Sequence, residues 1–371
     1  MNIQTLDVLI VDLPTIRPHQ LAMHTIVMQT IIIVRVTGEG GLEGWGEVAT
    51  IGGASYCAET PEAIKMNIEK YIRPLVIGRN AAHFDAISQT VNQHVVGNTF
   101  AKAAVEAAIV ELAAKSRGIP VHELFGGQIH ASLPVAWTLA SGDTRRDIEE
   151  AKESLHAKRH NIFKLKIGMG DPQRNVAHVL KIKEAVGDEA SVRVDVNQAW
   201  DETTAMYCIE ALEDGGIDLI EQPLPAWNKE GMARLAARFK VPIMADESLV
   251  SLEDVYQVAK HRAGNVFSIK PANVGGLSAT KKVAAIAEAA GISLYGGTMI
   301  ESSLGTAISA HLYSTIPEIK YGTELFGPLL FTDTVTANAI MYEDFQLKVP
   351  SGPGYGMEMD VEKIFHYARD Y

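Results

Sequence analysis

Residues 191–222 read SVRVDVNQAWDETTAMYCIEALEDGGIDLIEQ and contain two short apolar segments, 192–196 and 219–221. The polar residues that mark the ends of these segments are both acidic, Asp195 and Glu221. A longer stretch with helical character separates the two segments. One strand, one loop and one helix need about this many residues, so the run predicts a strand–helix–strand unit.

Eight apolar segments of this kind follow one another from residue 134 onward. The polar residues that mark their ends are spaced 24 to 31 residues apart, at 138, 164, 195, 221, 246, 270, 298 and 323. This repetition predicts an α/β fold with a closed (β/α)8-type, TIM-like barrel. A doubly wound open sheet is the competing interpretation, but we would expect it to show a glycine-rich first turn and fewer equal steps. The candidate strands are 134–138, 163–167, 192–196, 219–221, 243–245, 266–270, 293–296 and 321–325.

The residues before this repeat follow a different pattern, in which strands precede helices. Gly38-Glu39-Gly40-Gly41 lies between two apolar runs and predicts the turn of a hairpin. Such an order is typical of an α+β unit. The predicted elements are strands at 6–13, 30–36 and 42–48 and a helix at 101–115.

These patterns give the expected domain organisation. An α+β capping domain occupies residues 1–127, and the barrel domain occupies residues 128–326. The C-terminal segment, residues 327–371, contains a candidate strand at 345–349 followed by a turn rich in proline and glycine. We expect this segment to pack back on the capping domain and complete it.

Composition narrows the class of protein further. Charged residues make up 21% and hydrophobic residues 47% of the 371-residue chain, which excludes a largely disordered protein. The formal net charge of −12 gives no general attraction to nucleic acid or to an anionic membrane. The two cysteines are too few for a disulfide scaffold. The chain has no signal-peptide pattern and no apolar run long enough to cross a bilayer, so we expect a cytoplasmic protein.

Three acidic residues end three consecutive candidate strands: Asp195, Glu221 and Asp246. Neighbouring strands lie about 4.8 Å apart, so three carboxylates at one level would meet at the mouth of the barrel. Like charges at that distance require a cation, and an all-oxygen ligand set suits a hard divalent ion such as Mg²⁺ or Mn²⁺. The alternative is that each acid caps the helix that follows it. Three acids in register favour the metal site.

Lysines end the candidate strands on either side of these acids. Lys164 and Lys166 share one face of the second strand, and Lys270 ends the sixth. Ammonium groups that lie close together beside a metal lower one another's pKa from about 10.4 toward the working pH, as general acid–base chemistry requires. The alternative is a structural network of counter-ions, in which Lys270 could pair with Glu247.

A divalent ion flanked by lysines is suited to stabilising an enolate. The ion would hold a substrate carboxylate, and a lysine would carry a proton to or from the carbon next to that carboxylate. The residues alone therefore predict an enzyme that transfers a proton adjacent to a carboxylate.

The strand-end motifs resemble those of the muconate-lactonizing subgroup of the enolase superfamily. They are Lys-x-Lys at 164–166, Asp-x-Asn at 195–197, Glu-Gln-Pro at 221–223, Asp-Glu at 246–247 and Lys270. The resemblance covers the whole chain, including the capping unit. Four longer runs are similar to the muconate and chloromuconate cycloisomerases of that subgroup: VDLPTIRP at 11–18, WTLASGD at 137–143, LYGGTM at 294–299 and GTELFGP at 322–328.

This resemblance implies a cycloisomerase that lactonises cis,cis-muconate to muconolactone through an enolate, as part of aromatic (catechol) catabolism. It implies a metal held by Asp195, Glu221 and Asp246, with Mn²⁺ preferred and Mg²⁺ possible. It also implies a homo-oligomer, often an octamer, that acts on a small dicarboxylate.

The resemblance also implies roles for the catalytic residues. Lys166 would deliver the proton, Lys164 would tune Lys166, and Lys270 would stand across the site. Glu324 matches an acid of the family's active site.

Substrate contacts are expected from two loops of the capping unit, around 23–25 and 50–56, and from the barrel. The Gly52-Gly53 pair lets the second loop approach the substrate closely. Chloromuconate enzymes tend to carry Val, Trp and Ile where this chain has Ile51, Tyr56 and Phe326, so the resemblance favours the unchlorinated substrate. The candidate substrate-binding residues are His24, Ile51, Tyr56, Asn197 and Phe326.

Several other functions share the lysine and acid pattern. They are a chloromuconate cycloisomerase, a dipeptide or N-acyl amino acid epimerase, and an o-succinylbenzoate synthase. A non-catalytic metal-binding or scaffold protein is an alternative of another class. The presence of every acid and lysine of the pattern argues against loss of catalysis.

Overall fold

A computed structural model describes residues 1–20 and 25–369 of the chain, except for the side chain of Gln20. His24, a predicted substrate-binding residue, lies outside the described residues. Among the helices of the described part, none combines the length and the apolar character that a membrane span requires.

The first unit is a three-stranded antiparallel sheet with helices packed against it. Strand β1 (Ile3–Gln20) pairs with β2 (Thr25–Gly38), and β2 pairs with β3 (Glu43–Thr50). A 3-10 turn at Glu39–Gly41 joins β2 to β3, as the glycine-rich sequence predicts. The helices of this unit are α1 (Pro61–Asn67), which continues into a π-turn at Ile68–Ile72, α2 (Arg73–Val76), α3 (Phe84–His94) and α4 (Thr99–Lys115).

Close packing between β3 and α4 fixes the sheet on its helices. A Cβ atom added to Gly44 would lie 2.2 Å from the carbonyl oxygen of Ala108, and one added to Gly46 would lie 2.1 Å from that of Ala104. No side chain fits at either glycine, so the strand backbone rests directly on the alanine-rich face of the helix. This contact holds in place the sheet whose last strand leads into the loop at 50–56.

The second unit is a barrel. Its parallel sheet runs in the order β5 (Trp137–Leu139), β6 (Ile162–Lys166), β7 (Ser191–Asp195), β8 (Leu219–Glu221), β9 (Ile243–Ala245), β10 (Val266–Ile269) and β11 (Ser293–Gly296), preceded along the chain by the short β4 (Ser132–Pro134). The helices of the barrel unit are α5 (Thr144–His156), α6 (Pro172–Val186), α7 (Glu202–Asp214), α8 (Lys229–Arg238), α9 (Leu252–His261), α10 (Pro271–Val274), α11 (Leu277–Ala290) and α12 (Ser303–Tyr313).

A single residue closes the ring. Thr323 forms parallel bridges to Gly296 at the end of β11 and to Val135 just before β5. The eighth strand predicted at 321–325 is therefore wrong as a strand, although it occupies the predicted position. Gly322 has a φ of +72°, and the chain turns again after Phe326, so extended pairing lasts only about two residues. The first predicted strand, 134–138, is likewise divided between β4 and β5.

The remaining barrel strands agree with the prediction to within one residue at either end, and the capped-barrel fold is confirmed. After a 3-10 turn at Gly327–Leu329, the tail forms β12 (Tyr342–Glu343), β13 (Gln346–Lys348) and α13 (Val361–Tyr367). Strand β13 pairs with β4, and bridges from Phe331 to Thr15 and from Ala368 to Val11 join the tail to β1. The tail thus contacts both units, and the predicted domain boundaries stay a prediction.

Candidate active site

The strand ends of the barrel gather lysines and carboxylates at one mouth. In the strand register, Lys166 lies beside Asp195, and Asp195 lies beside Glu221. Six of the seven predicted metal-binding and catalytic residues are at most 5% exposed, and the side chain of Lys166 is 14% exposed. The structure therefore brings together all seven: Lys164, Lys166, Asp195, Glu221, Asp246, Lys270 and Glu324.

Lys164 lies at the centre of the acids. Its Nζ donates to Glu324 Oε2 at 2.5 Å and to Glu221 Oε2 at 3.0 Å, and it lies 3.5 Å from Asp195 Oδ2. Thr138 Oγ1 donates to the other oxygen of Glu324 at 3.0 Å. These contacts hold Lys164 as a buried cation between two carboxylates at strand ends, those of Asp195 and Glu221, and the carboxylate of Glu324 in the segment that closes the barrel.

Lys166 points to one side of this centre. Its Nζ donates to Asp195 Oδ2 at 2.5 Å. The backbone N–H of Asn197 donates to Asp195 Oδ1 at 2.9 Å, and Asn197 Nδ2 donates to Glu247 Oε1 at 2.9 Å. Asn197 therefore orients both Asp195 and Glu247, and Lys166 keeps the freest ammonium group of the three lysines.

Lys270 lies on the opposite side. Its Nζ donates to Asp246 Oδ2 at 2.7 Å and to the hydroxyl of Tyr56 at 2.9 Å, and that hydroxyl donates to Asp246 Oδ2 at 2.7 Å. The loop of the first unit thus reaches the barrel centre, as its two glycines, both with positive φ, permit. The alternative pairing of Lys270 with Glu247 is not observed, because Asp246 is the carboxylate that faces the ammonium group.

The carboxylates and lysines shift one another's pKa. Burial alone would raise the pKa of Asp195, but Lys166 and Lys164 outweigh burial and lower it to about 2. Burial and the neighbouring carboxylate of Asp195 raise the pKa of Glu221 well above its ordinary value. Burial and Asp246 likewise raise the pKa of Glu247 to about 8. The acids therefore differ sharply in how readily they ionise.

The surrounding side chains shift the pKa of Lys164 and Lys270 upward, whereas the predicted lowering, which includes the effect of a bound divalent ion, stays a prediction. Burial lowers both, but the surrounding carboxylates outweigh burial and raise the pKa of each. The reason is geometric, since each of these ammonium groups faces acids rather than another ammonium group. Both side chains are held protonated by the charge around them.

The chemistry of the cluster fits a divalent cation, although the described residues contain no preassembled group of three acidic, histidine or cysteine side chains close enough to enclose one. The five carboxyl groups of Asp195, Glu221, Asp246, Glu247 and Glu324 face only three ammonium groups. Asp246 Oδ1 and Glu247 Oε2 are buried and have no hydrogen-bond partner among the described residues. Crowded carboxyl groups that raise one another's pKa, together with buried oxygen atoms that lack a partner, are what a hard divalent ion would satisfy. The assignment of Asp195, Glu221 and Asp246 as metal ligands stays a prediction.

A small enclosed cavity adjoins the charged cluster. Its apolar wall includes two predicted residues, Ile51 and Phe326, and one that was not predicted, Ile300. Tyr56, Lys166, Lys270 and Glu324 form much of its polar wall. The predicted residues Ile51, Tyr56 and Phe326 therefore all line this cavity, and their role as substrate contacts stays a prediction.

Sequence reasoning missed three residues of this lining: His19, Thr298 and Ile300. His19 is 1% exposed, and neither of its ring nitrogens has a hydrogen-bond partner among the described residues. Burial lowers the pKa of His19 to about 3, so the ring is neutral at ordinary pH. The only sequence signal for His19 was its position directly after the 11–18 run. Strand β1 extends to Gln20 and so places His19 at the barrel mouth, but the apolar spacing predicted a strand only over 6–13.

Comparisons with known proteins agree with this geometry. The mandelate racemase/muconate lactonizing enzyme N-terminal domain matches residues 5–126, and the enolase C-terminal domain-like family matches residues 146–364. The chain belongs to the mandelate racemase/muconate lactonizing enzyme family of the enolase superfamily. The predicted family is therefore confirmed, and enzymes of its muconate cycloisomerase branch depend on a divalent metal.

Similar members of this family align over nearly their whole length. Muconate cycloisomerase 1 of Acinetobacter baylyi is 48% identical over 364 residues, which cover 97% of this chain and 98% of the relative. A chloromuconate cycloisomerase of Pseudomonas putida is 45% identical over 369 residues, which cover both chains completely. The crystal structure of muconate lactonizing enzyme from Pseudomonas fluorescens complexed with muconolactone superposes with a TM-score of 0.98 at 50% identity, covering 99% of each chain.

Proposed function

We propose that this protein is a muconate cycloisomerase, an isomerase that converts cis,cis-muconate to muconolactone by an intramolecular lactonisation in the catabolism of catechol. The observation that carries this proposal is the cavity in which a buried Lys164–Glu221–Glu324 cluster and Lys166 face the apolar side chains of Ile51 and Phe326. Full-length identity to muconate cycloisomerases supports the same substrate.

The reaction needs a carboxylate nucleophile, which the substrate itself carries, and a proton donor of the enzyme close to the substrate. A carboxylate oxygen of the substrate adds to the double bond conjugated with the second carboxylate, and a carbon–oxygen bond forms. The electron pair of that double bond moves into the second carboxylate and gives an enolate. Addition of one proton to the carbon beside that carboxylate completes the lactone and balances the charge.

Lys166 is suited to deliver this proton. Its ammonium group lines the cavity, has one carboxylate partner and is the most accessible of the three lysines. Lys164, fixed as a cation by Glu221 and Glu324, would stabilise the negative charge that develops on the substrate and repel a second positive charge on Lys166. Lys270 would add positive charge from the other side.

Asp195, Glu221 and Asp246 would hold a divalent ion, which would supply further positive charge to stabilise the enolate. We propose Mn²⁺ as the physiological ion and Mg²⁺ as the alternative. Asn197 would keep Asp195 oriented toward that ion through its backbone N–H.

The cavity walls would select a flat conjugated diacid. Ile51 and Phe326 would contact the diene on its faces, and the Tyr56 hydroxyl would close the pocket beside Lys270. His19, with both ring nitrogens unpaired, would donate one hydrogen bond to a substrate carboxylate. A neutral histidine suits this role because it adds no charge that would compete with Lys166.

Three further features belong to the proposal. We propose a homo-oligomer, an octamer by resemblance, and a cytoplasmic location, which the two free cysteines, Cys57 and Cys208, support. We also propose that residues 1–127, 128–326 and 327–371 act as cap, barrel and completing tail.

The ultraviolet absorbance of the substrate provides the test. Muconate is a conjugated diene that absorbs in the ultraviolet, and lactonisation removes the conjugation. The proposal predicts loss of absorbance with Mn²⁺ and none with a chelator. Preferential turnover of chloromuconate would make the protein a chloromuconate cycloisomerase. No loss with either diacid, together with racemisation of an N-acyl amino acid or dehydration by an o-succinylbenzoate synthase reaction, would overturn the proposal.

A further inference from the structure

The loop after β11 forms one wall of the substrate cavity in a strained backbone conformation. Ile300 has a φ of +62°, in the left-handed region that a β-branched residue rarely adopts. Its side chain is buried and lines the cavity together with Thr298. A backbone outlier of this kind persists only where the surrounding structure holds it in place.

A buried side chain of the first unit holds this loop from behind. Gln29, in β2, is completely buried and does not line the cavity. Its Nε2 donates to the backbone oxygen of Met299 at 2.8 Å and to that of Ile300 at 3.1 Å. Because one amide group binds two successive carbonyls, it fixes the orientation of two peptide planes and with them the backbone angles around Ile300.

Hydrogen bonds also hold the residues before and after Ile300. The backbone N–H of Ile300 donates to Thr298 Oγ1 at 2.9 Å, and Thr298 Oγ1 donates to Glu301. Glu47, in the neighbouring β3, accepts from the backbone N–H of Ser302 at 2.7 Å. Two buried side chains of the first unit, Gln29 and Glu47, thus form hydrogen bonds to the barrel loop at 298–302. These contacts are separate from those of the loop at 50–56.

We propose that Gln29 is a positioning residue for the substrate cavity. It holds residues 298–301 in the strained conformation in which Ile300 and Thr298 face the substrate, and it touches no substrate itself. The capping unit therefore shapes the cavity through a buried residue of β2 as well as through the loop at 50–56. The kinetic consequence rests on the proposed function, but the structural consequence does not.

The first test compares Gln29→Met, which keeps the side-chain length but removes both hydrogen bonds, with Tyr355→Phe. Tyr355 is a matched control, because its buried hydroxyl donates to a backbone carbonyl, that of Ala107, at 3.0 Å. We expect amide hydrogen exchange of residues 298–302 to rise about tenfold in Gln29→Met and to stay unchanged in Tyr355→Phe. Gln29→Leu serves as the second variant if Gln29→Met does not fold.

Kinetics provides the second readout. We expect the KM for muconate to rise about tenfold in Gln29→Met with kcat reduced less than about threefold, because the pocket wall moves while Lys166 does not. Glycine adopts a positive φ without strain, so Ile300→Gly should make Gln29 less necessary. In the Ile300→Gly background, Gln29→Met should change KM by less than about threefold.

The outcomes separate the two proposals. Equal KM effects of Gln29→Met in both backgrounds, or unchanged exchange of residues 298–302, would overturn the positioning role even if the wild type lactonises muconate. A wild type that does not lactonise muconate, with faster exchange in Gln29→Met, would overturn the proposed function and leave the positioning role standing.

Discussion

Replacement of Lys166 by alanine separates proton delivery from the rest of the site. The Lys166 ammonium group has one carboxylate partner, Asp195, at 2.5 Å, and the side chain is 14% exposed. Asp195 keeps Lys164 at 3.5 Å and the backbone N–H of Asn197 at 2.9 Å. We therefore expect the free energy of unfolding to fall by only about 1.5–3 kcal/mol, as for one hydrogen bond to a charged group.

The effect on turnover should be much larger. A positioned general acid contributes about 10²- to 10⁴-fold to the rate, which corresponds to about 2.7–5.5 kcal/mol in activation free energy. We expect kcat for muconate, measured as loss of ultraviolet absorbance at saturating Mn²⁺, to fall by at least about 10²-fold. The affinity for Mn²⁺ should stay within about threefold of the wild type, because the three acids remain.

Lys229→Ala is the matched control for this experiment. Lys229 also forms a 2.5 Å ion pair with an aspartate, Asp254, and it is the first residue of α8 and does not line the cavity. This control should leave kcat unchanged. If Lys166→Ala retains kcat within tenfold of the wild type while Lys270→Ala abolishes turnover, the proton comes from the other side and the assignment is wrong.

Three further predictions test the metal, the cap loop and the buried histidines. Asp246→Asn removes one of three charges and should weaken Mn²⁺ binding at least about tenfold by calorimetric titration; unchanged binding would mean that Asp246 is not a ligand. Tyr56→Phe removes the hydroxyl between Asp246 and Lys270 and should raise the KM for muconate about three- to tenfold, whereas an unchanged KM would place Tyr56 outside the pocket wall. Burial lowers the pKa of His19 and His311 to about 3 and that of His160 to about 4, so each takes up a proton on unfolding below about pH 6.5. Buried acids with a raised pKa, such as Glu247, act in the opposite direction over the same range, so the test compares two slopes. His311→Gln should lower the slope of the free energy of unfolding in urea against pH by up to about 1.4 kcal/mol per pH unit between pH 6.5 and 4; an equal slope would refute the buried neutral state of His311.

The sequence predicts the fold well where local pattern decides it. Strands 219–221, 243–245 and 293–296 are found as predicted, because short apolar runs between helical stretches have one interpretation in a barrel. The closing strand at 321–325 is not, since the positive φ of Gly322 and the turn after Phe326 leave only Thr323 to bridge the segments on either side. Pairing of that kind depends on ring closure, which no local pattern encodes.

In the site, too, the residues that local pattern marks were predicted and those that depend on distant contacts were not. The acids and lysines were found because each ends a strand, and strand ends in a barrel meet at one mouth. The carboxylates that face Lys164 and Lys270 and raise their pKa were not identified, because which group each ammonium faces depends on side-chain geometry across strands. His19 and Gln29 were missed, because they lie in the long strands β1 and β2 while the groups near them lie more than a hundred residues away in the sequence. His19 lines the cavity with barrel residues, and Gln29 donates to the backbone oxygen of Met299.

Lactonisation of muconate in D₂O measures proton delivery most directly. Proton magnetic resonance of the isolated muconolactone should show one deuterium in the CH₂ group next to the free carboxylate, at one of its two stereochemical positions, because Lys166 lies on one side of the cavity. Deuterium divided equally between the two positions would contradict delivery from a fixed lysine.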